Sequence, residues 1–282
     1  MKYGAWRQMG KILKILIPVG VIALTVILIV VLKSRERIND SDSVAEGIAY
    51  LEQLESEGTA AVENILAEKR QARMAAERVE RMEELTNGTV DVWSLFTDYV
   101  LMGDSRAVGF SYHGFLSEDR VIAGGGWTIR DIEANIEVLR VLNPSSIYLC
   151  FGLNDTSVGF WETADEYAAE FLSVLQMLEN EFPNATVYTN SILPARDPAF
   201  EQSQKWYEIP EYSAAIGKMC EENGFIFVNN DQIAQEHADL WDEDGIHLQE
   251  EFYPYWAANM MLSVYGGGTQ DYGTVTEETA EE

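Results

Sequence analysis

Cysteine is close to absent from this chain of 282 residues: there are two, Cys150 and Cys220. Cys150 sits in an apolar strand-like run and Cys220 late in a helix-like run, with no Cys-x-x-Cys and no Cys/His cluster. No disulfide framework and no thiolate metal site can be read from them, and both are expected as buried free thiols. Histidine is nearly as scarce. Only His113, His237 and His247 are present, so any imidazole chemistry has three candidates. Basic residues are few as well, 19 Lys and Arg against 47 Asp and Glu, a formal net charge of −28. Between positions 93 and 265 the imbalance is 28 acids to 7 bases. A surface of that sign repels polyanions, which argues against a nucleic-acid partner and favours a neutral or cationic substrate.

What the chain does contain begins with an uncharged apolar run, Ile15 to Leu32. Eighteen residues at roughly 1.5 Å each span about 27 Å, close to the hydrocarbon thickness of a bilayer. Lys11 and Lys14 precede it; Lys33, Arg35 and Arg37 follow, diluted by Glu36, Asp40 and Asp42. Residues 1–14 carry no acid. The expectation is a transmembrane signal-anchor over 15–32 at the plasma membrane, with residues 1–14 cytoplasmic and the bulk outside. A cleaved signal peptide is the competing reading. The run is long for one, and no Ala-x-Ala follows Leu32.

Residues 33–92 read as a helical stalk. Over 43–86, Leu51, Leu54, Ala61, Ile65, Ala72, Ala75, Val79 and Met82 fall on one stripe of three- and four-residue spacing, interrupted by Gly58 and Glu68. Few large residues lie on the seam, so it predicts a solvated spacer, with a weak coiled-coil dimer as the alternative. Asn87-Gly88 ends it.

From Trp93 the rhythm changes. Short apolar runs at Tyr99–Met102, Val121–Ala123, Ile147–Phe151, Thr186–Ser191 and Phe225–Val228 alternate with helical patterns at Thr128–Leu142, Thr163–Glu181 and Tyr212–Glu222. Continuous apolar strands mean burial on both faces. The prediction is a doubly wound α/β domain over 93–265 with a mainly parallel five-stranded sheet and its site at the strands' carboxyl ends. Residues 266–282, with five acids and no base, read as a solvated disordered tail.

Four motifs stand just past strands or in the last loop: Gly103-Asp104-Ser105, Gly124-Gly125-Gly126-Trp127-Thr128, Gly152-Leu153-Asn154-Asp155 and Asp244-Gly245-Ile246-His247. A serine at a strand end before a helix is placed to attack, but a hydroxyl needs a base. His247 follows Asp244 by three residues with a glycine between, so the carboxylate can hold one ring nitrogen while the other faces Ser105.

In the order and spacing of these motifs the chain resembles the SGNH (GDSL-like) hydrolase family, over about Val92 to Tyr265. The resemblance implies a flavodoxin-like fold, a catalytic set of Ser105, Asp244 and His247, and no cofactor. It also implies an oxyanion hole from the Ser105 N–H, the Gly126 N–H and the Asn154 amide. Gly126 is chosen because Gly126-Trp127-Thr128 matches the family's Gly-x-Thr phrasing; Gly125 and Gly124 stay open. Membrane-tethered relatives act on the bacterial envelope, so the setting implied is extracytoplasmic.

Beyond the motifs, Arg106 is a candidate to hold a substrate carboxylate, with an internal salt bridge as the other reading. Trp127, Phe160 and Trp161 are candidates for an aromatic wall against a sugar ring. Asp155 reads as a support for Asn154. The function expected is a serine esterase removing a small acyl group, foremost O-acetyl, from envelope or extracellular carbohydrate. The same acyl-enzyme passing its group to a sugar hydroxyl gives an O-acyltransferase. A non-catalytic envelope scaffold is the third reading.

Overall fold

The computed structural model describes residues 24–33 and 41–265. These residues fall into two units, divided after Met74. The first contains helix α1 over 24–33 and the longer part of α2, Ser41–Thr86. Helix α1 takes in the end of the expected anchor, and its apolar side chains are exposed. Residues 1–23, with the rest of that anchor, lie outside the described residues, as does the acidic tail 266–282. Among the described residues no helix is long and apolar enough to cross a membrane. Leu51 and Ile65 of the α2 stripe are exposed.

In the second unit α2 ends where expected: Gly88, at φ +81°, takes a conformation open to glycine. Five strands follow, β1 (Tyr99–Gly103), β2 (Val121–Ala123), β3 (Ser146–Cys150), β4 (Thr186–Asn190) and β5 (Ile226–Val228). All pair in parallel, in the order β2-β1-β3-β4-β5. The chain turns to opposite sides of β1 when it adds β2 and then β3, which opens a crevice at their carboxyl ends.

Alternate residues of the strands enter two cores. Val100, Met102, Ile147, Leu149 and Val187 face one, filled by helices α7 (Ala164–Glu181) and α8 (Ile209–Asn223) through Phe171, Leu175 and Ile216. Tyr99, Leu101, Tyr148, Cys150 and Tyr188 face the other, with Phe110 of α3 (Ser105–Tyr112) and Trp256 and Met260 of the C-terminal helix Tyr253–Tyr265. Leu85, from the last turn of α2, joins this second core. Burial on both faces is why the strands read as unbroken apolar runs. Each large side chain so buried contributes about 1.5–3 kcal/mol. Both cysteines are buried free thiols; burial raises the Cys150 thiol and pushes Cys220 up to about 12.

One helix differs from expectation. Thr128–Leu142 is not continuous but breaks into α4 (Asp131–Ala134) and α5 (Ile136–Leu142). At the break Asn135 turns its side-chain amide back to the Asp131 carbonyl, 2.8 Å away, and its N–H to that of Ile132. An asparagine offering the backbone this local alternative interrupts the helical ladder.

Candidate active site

Four loops at the carboxyl edge of the sheet assemble the site. β1 runs through Gly103 and Asp104 into Ser105, the first residue of α3. Gly103 is required there, since a Cβ would lie 2.5 Å from both the Cys150 carbonyl and the Ala107 Cβ. The Asp104 side chain caps the helix by accepting the Arg106 N–H at 3.0 Å. Ser105 thus stands where a backbone N–H has no carbonyl partner within the helix.

The imidazole of His247 meets this serine across 142 positions of sequence, with Nε2 3.0 Å from Ser105 Oγ. Its Nδ1 lies 2.6 Å from Asp244 Oδ2. A carboxylate only accepts, so the proton sits on Nδ1 and Nε2 is free to take the serine's. Asp244 Oδ1 accepts the N–H groups of Ile246 and His247, at 2.8 and 2.9 Å. Partial burial raises the Asp244 carboxyl, but these bonds outweigh it and hold the group below its ordinary 3.8, so it stays anionic at neutral pH. The other two imidazoles are engaged elsewhere: His237 stacks on Tyr255 and His113 lies against Tyr253.

Past β2, the Trp127 N–H closes a turn onto the Gly124 carbonyl, with Gly126 at φ +79° in its third position, the type II pattern. Gly124 is tucked under the Trp127 indole, 2.6 Å from a built Cβ, whereas nothing lies within 4 Å of one at Gly126. Thr128 anchors the loop through Asp131, which accepts both its N–H and its hydroxyl. Past β3, Gly152 at φ +129° leads into α6 (Leu153–Val158). Asn154 there donates one amide hydrogen to the Trp127 carbonyl at 2.9 Å and keeps the second.

Asp155 is 1% exposed. Its Oδ1 accepts the Ile129 N–H at 2.9 Å, tying the glycine loop to α6, and its Oδ2 has no partner. Burial, reinforced by the nearby Asp104 charge and only partly offset by the Ile129 bond, pushes this carboxyl up to about 7.

Two of the expected substrate contacts are corrected. Arg106 is 3% exposed and faces inward, its Nη1 donating to the Leu193 carbonyl at 2.6 Å with Asp104 beside it; it is out of reach of a substrate carboxylate. Trp161 is 5% exposed, edge-on to Tyr167, with Nε1 bound to Glu170, so it presents no open face. Trp127 is half-buried and Phe160 is 53% exposed. The guanidinium of Arg130 lies 4.5 Å from the Phe160 ring centre and pairs bidentately with Glu170, at 2.6 and 2.9 Å. The sequence reading missed Arg130, Leu193 and Tyr253, the last of which donates its hydroxyl to the Arg106 carbonyl at 2.9 Å. One signal was available: a glycine inside a helix, Gly109, whose built Cβ falls on the Tyr253 hydroxyl.

A sequence search of curated proteins finds no match for the chain. Solved structures similar to it include an acetyl xylan esterase, 20% identical over 59% of this chain and 99% of that one, with a TM-score of 0.46. A GDSL-like lipase from Bacteroides thetaiotaomicron is 20% identical over 59% and 86%, TM-score 0.47. A variant acetyl xylan esterase from Geobacillus stearothermophilus is 16% identical over 61% and 96%, TM-score 0.47. The family model of the GDSL-like lipase/acylhydrolases matches residues 101–253, which hold all four motifs. The chain is a member of the GDSL-like lipase/acylhydrolase family.

Proposed function

We propose that Ser105, His247 and Asp244 carry out acyl-ester hydrolysis, and that the substrate is a small acyl ester, foremost O-acetyl, on carbohydrate outside the membrane. The observation that carries the chemistry is the pair of contacts on one imidazole, 3.0 Å to Ser105 Oγ and 2.6 Å to Asp244. Ser105 Oγ attacks the ester carbonyl as its proton passes to Nε2. The oxyanion so formed is met by the N–H groups of Ser105 and Gly126 and the second hydrogen of the Asn154 amide. The tetrahedral species collapses, and Nε2 returns the proton to the departing sugar oxygen. Water then enters, losing a proton to the same nitrogen, and acid and free Ser105 are released.

The carbohydrate assignment is supported by Phe160, 53% exposed just past the Asn154 helix with Arg130 over its ring, and by the acidic surface, which suits a neutral glycan over a polyanion. The extracytoplasmic location is supported by the uncharged run 15–32 and its flanking charges. Leu51, Ile65 and Val79 of the α2 stripe, which are exposed, are where a second copy would pair.

The test is a fluorophosphonate probe on the full chain, followed by a panel of acylated glycans scored for released acid, with and without a free glycan acceptor. A single adduct on the peptide carrying Ser105, with acid released from O-acetyl glycan, supports the reading. Acyl groups appearing on the acceptor instead of in water make the protein a transferase. A chain that takes no adduct, under conditions that label other serine esterases, is not an acylhydrolase. Asn154→Ala is expected to lower kcat by about 10²-fold with little change in KM, the loss of one oxyanion donor. Steady-state kinetics on an aryl acetate measure it.

A further inference from the structure

Ser105 and His247 come from opposite ends of the catalytic unit, and no covalent link sets the 3.0 Å between them. We propose that Arg106 is the positioning residue that sets it, a role that rests on the reading of Ser105 as nucleophile. The residue directly after the serine is tied to the chain on both sides of the histidine. Its Nη1 donates to the Leu193 carbonyl at 2.6 Å. Segment 193–196 then acts as a splint against the acid–base loop. The Pro194 carbonyl accepts the Trp241 indole N–H at 3.1 Å, and the Arg196 N–H donates to the Gly245 carbonyl at 2.8 Å. The fit is close: Gly245, at φ +69°, would place a Cβ 2.2 Å from the Arg196 carbonyl oxygen. Beyond the histidine, the Tyr253 hydroxyl donates to the Arg106 carbonyl at 2.9 Å and crosses α3 where Gly109 leaves room for it.

The chemistry of the side chain suits this role. A buried guanidinium needs its charge met, and Asp104 Oδ2 lies 3.4 Å from Nη2. The planar fork can serve a carboxylate on one edge and a carbonyl on another, which an ammonium cannot do with the same rigidity. Asp104, Arg106 and Leu193 therefore form one strut from the nucleophile's helix to the splint under His247.

The test compares wild type with Asp104→Asn/Arg106→Gln, which removes both buried charges together, and with Arg106→Lys, which keeps the charge and loses the fork. Active sites are titrated with the fluorophosphonate, so rates are per competent site, and the substrate is an aryl acetate too small to sense remote contacts. The double variant is expected to lose about 10- to 100-fold in kcat, with KM within about threefold of wild type, the scale of a small misplacement of reacting groups. Its labelling rate falls in parallel, and Arg106→Lys lies between it and wild type. A lower melting temperature with wild-type kcat per site in either variant overturns the proposal, since the pair would then only support the fold. A wild type that neither labels nor turns over overturns the nucleophile reading and this one with it. An active, labelled wild type with equally active variants overturns only the role of Arg106.

Discussion

Alanine at position 247 is expected to reduce kcat by at least about 10³-fold while leaving KM nearly unchanged, the scale for loss of a triad base. A serine hydroxyl is a weak nucleophile at neutral pH, and its proton must leave as the bond to carbon forms. His247 Nε2 is placed to receive it. His113 and His237 are held against Tyr253 and Tyr255, so neither is placed to substitute. The fold is expected to survive the change, because the His247 side chain is 45% exposed and its removal opens no buried cavity. Circular dichroism checks the fold, and aryl acetate kinetics across neutral pH check the rate. Turnover within tenfold of wild type would mean that another group takes the proton.

Asparagine at position 155 is expected to remove a pH-dependent loss of stability worth roughly 4 kcal/mol, from about 1.4 kcal/mol per tenfold change in proton affinity. The buried Asp155 carboxyl is pushed from its ordinary 3.8 to about 7. Below pH ~4 it is protonated in both the folded and unfolded chain and contributes no pH dependence. Between ~4 and ~7 the unfolded chain has released the proton while the folded chain retains it, so stability falls as pH rises. Above about 7 both are ionised, and the full cost of the buried charge is present. The neutral amide keeps the oxygen that accepts the Ile129 N–H and carries no charge at any of these pH values. Urea unfolding of both proteins at pH 5 and pH 8 isolates the effect, since titrations of groups not coupled to Asp155 are common to the two. The variant should gain on wild type by about 2–3 kcal/mol between those pH values. A difference that does not change with pH would show that the carboxyl ionises normally in the fold.

The elements that could be read from sequence are those whose signal is local. Apolar runs such as Ile147–Phe151 mark strands because both faces of a parallel sheet are buried. Asn223-Gly224 marks the end of α8 because Gly224 sits at φ +77° there. Asp244 and His247 are three residues apart, so their mutual geometry is written in one short loop. Contacts made by backbone carbonyls leave no such trace. Nothing about Leu193 announces that its carbonyl takes a guanidinium, which is why Arg106 stood as a candidate for a substrate carboxylate beside the internal salt bridge that it makes with Asp104. Trp161 failed likewise: an indole reads the same whether it lines a groove or fills a core, and its burial depends on Tyr167 and Glu170. The break at Asn135 was local, but fifteen residues of good apolar spacing outweighed a single asparagine.

The distance in sequence between Ser105 and His247 also governs when the two can first meet. During synthesis the serine emerges early, and the sheet that presents it grows strand by strand. Until some 140 further residues have followed and the last loop has folded back over β1, no imidazole stands beside the hydroxyl. A nascent chain that ends before Asp244 carries Ser105 without the imidazole that stands beside it in the finished fold. Assembly of the site is thereby coupled to completion of the domain.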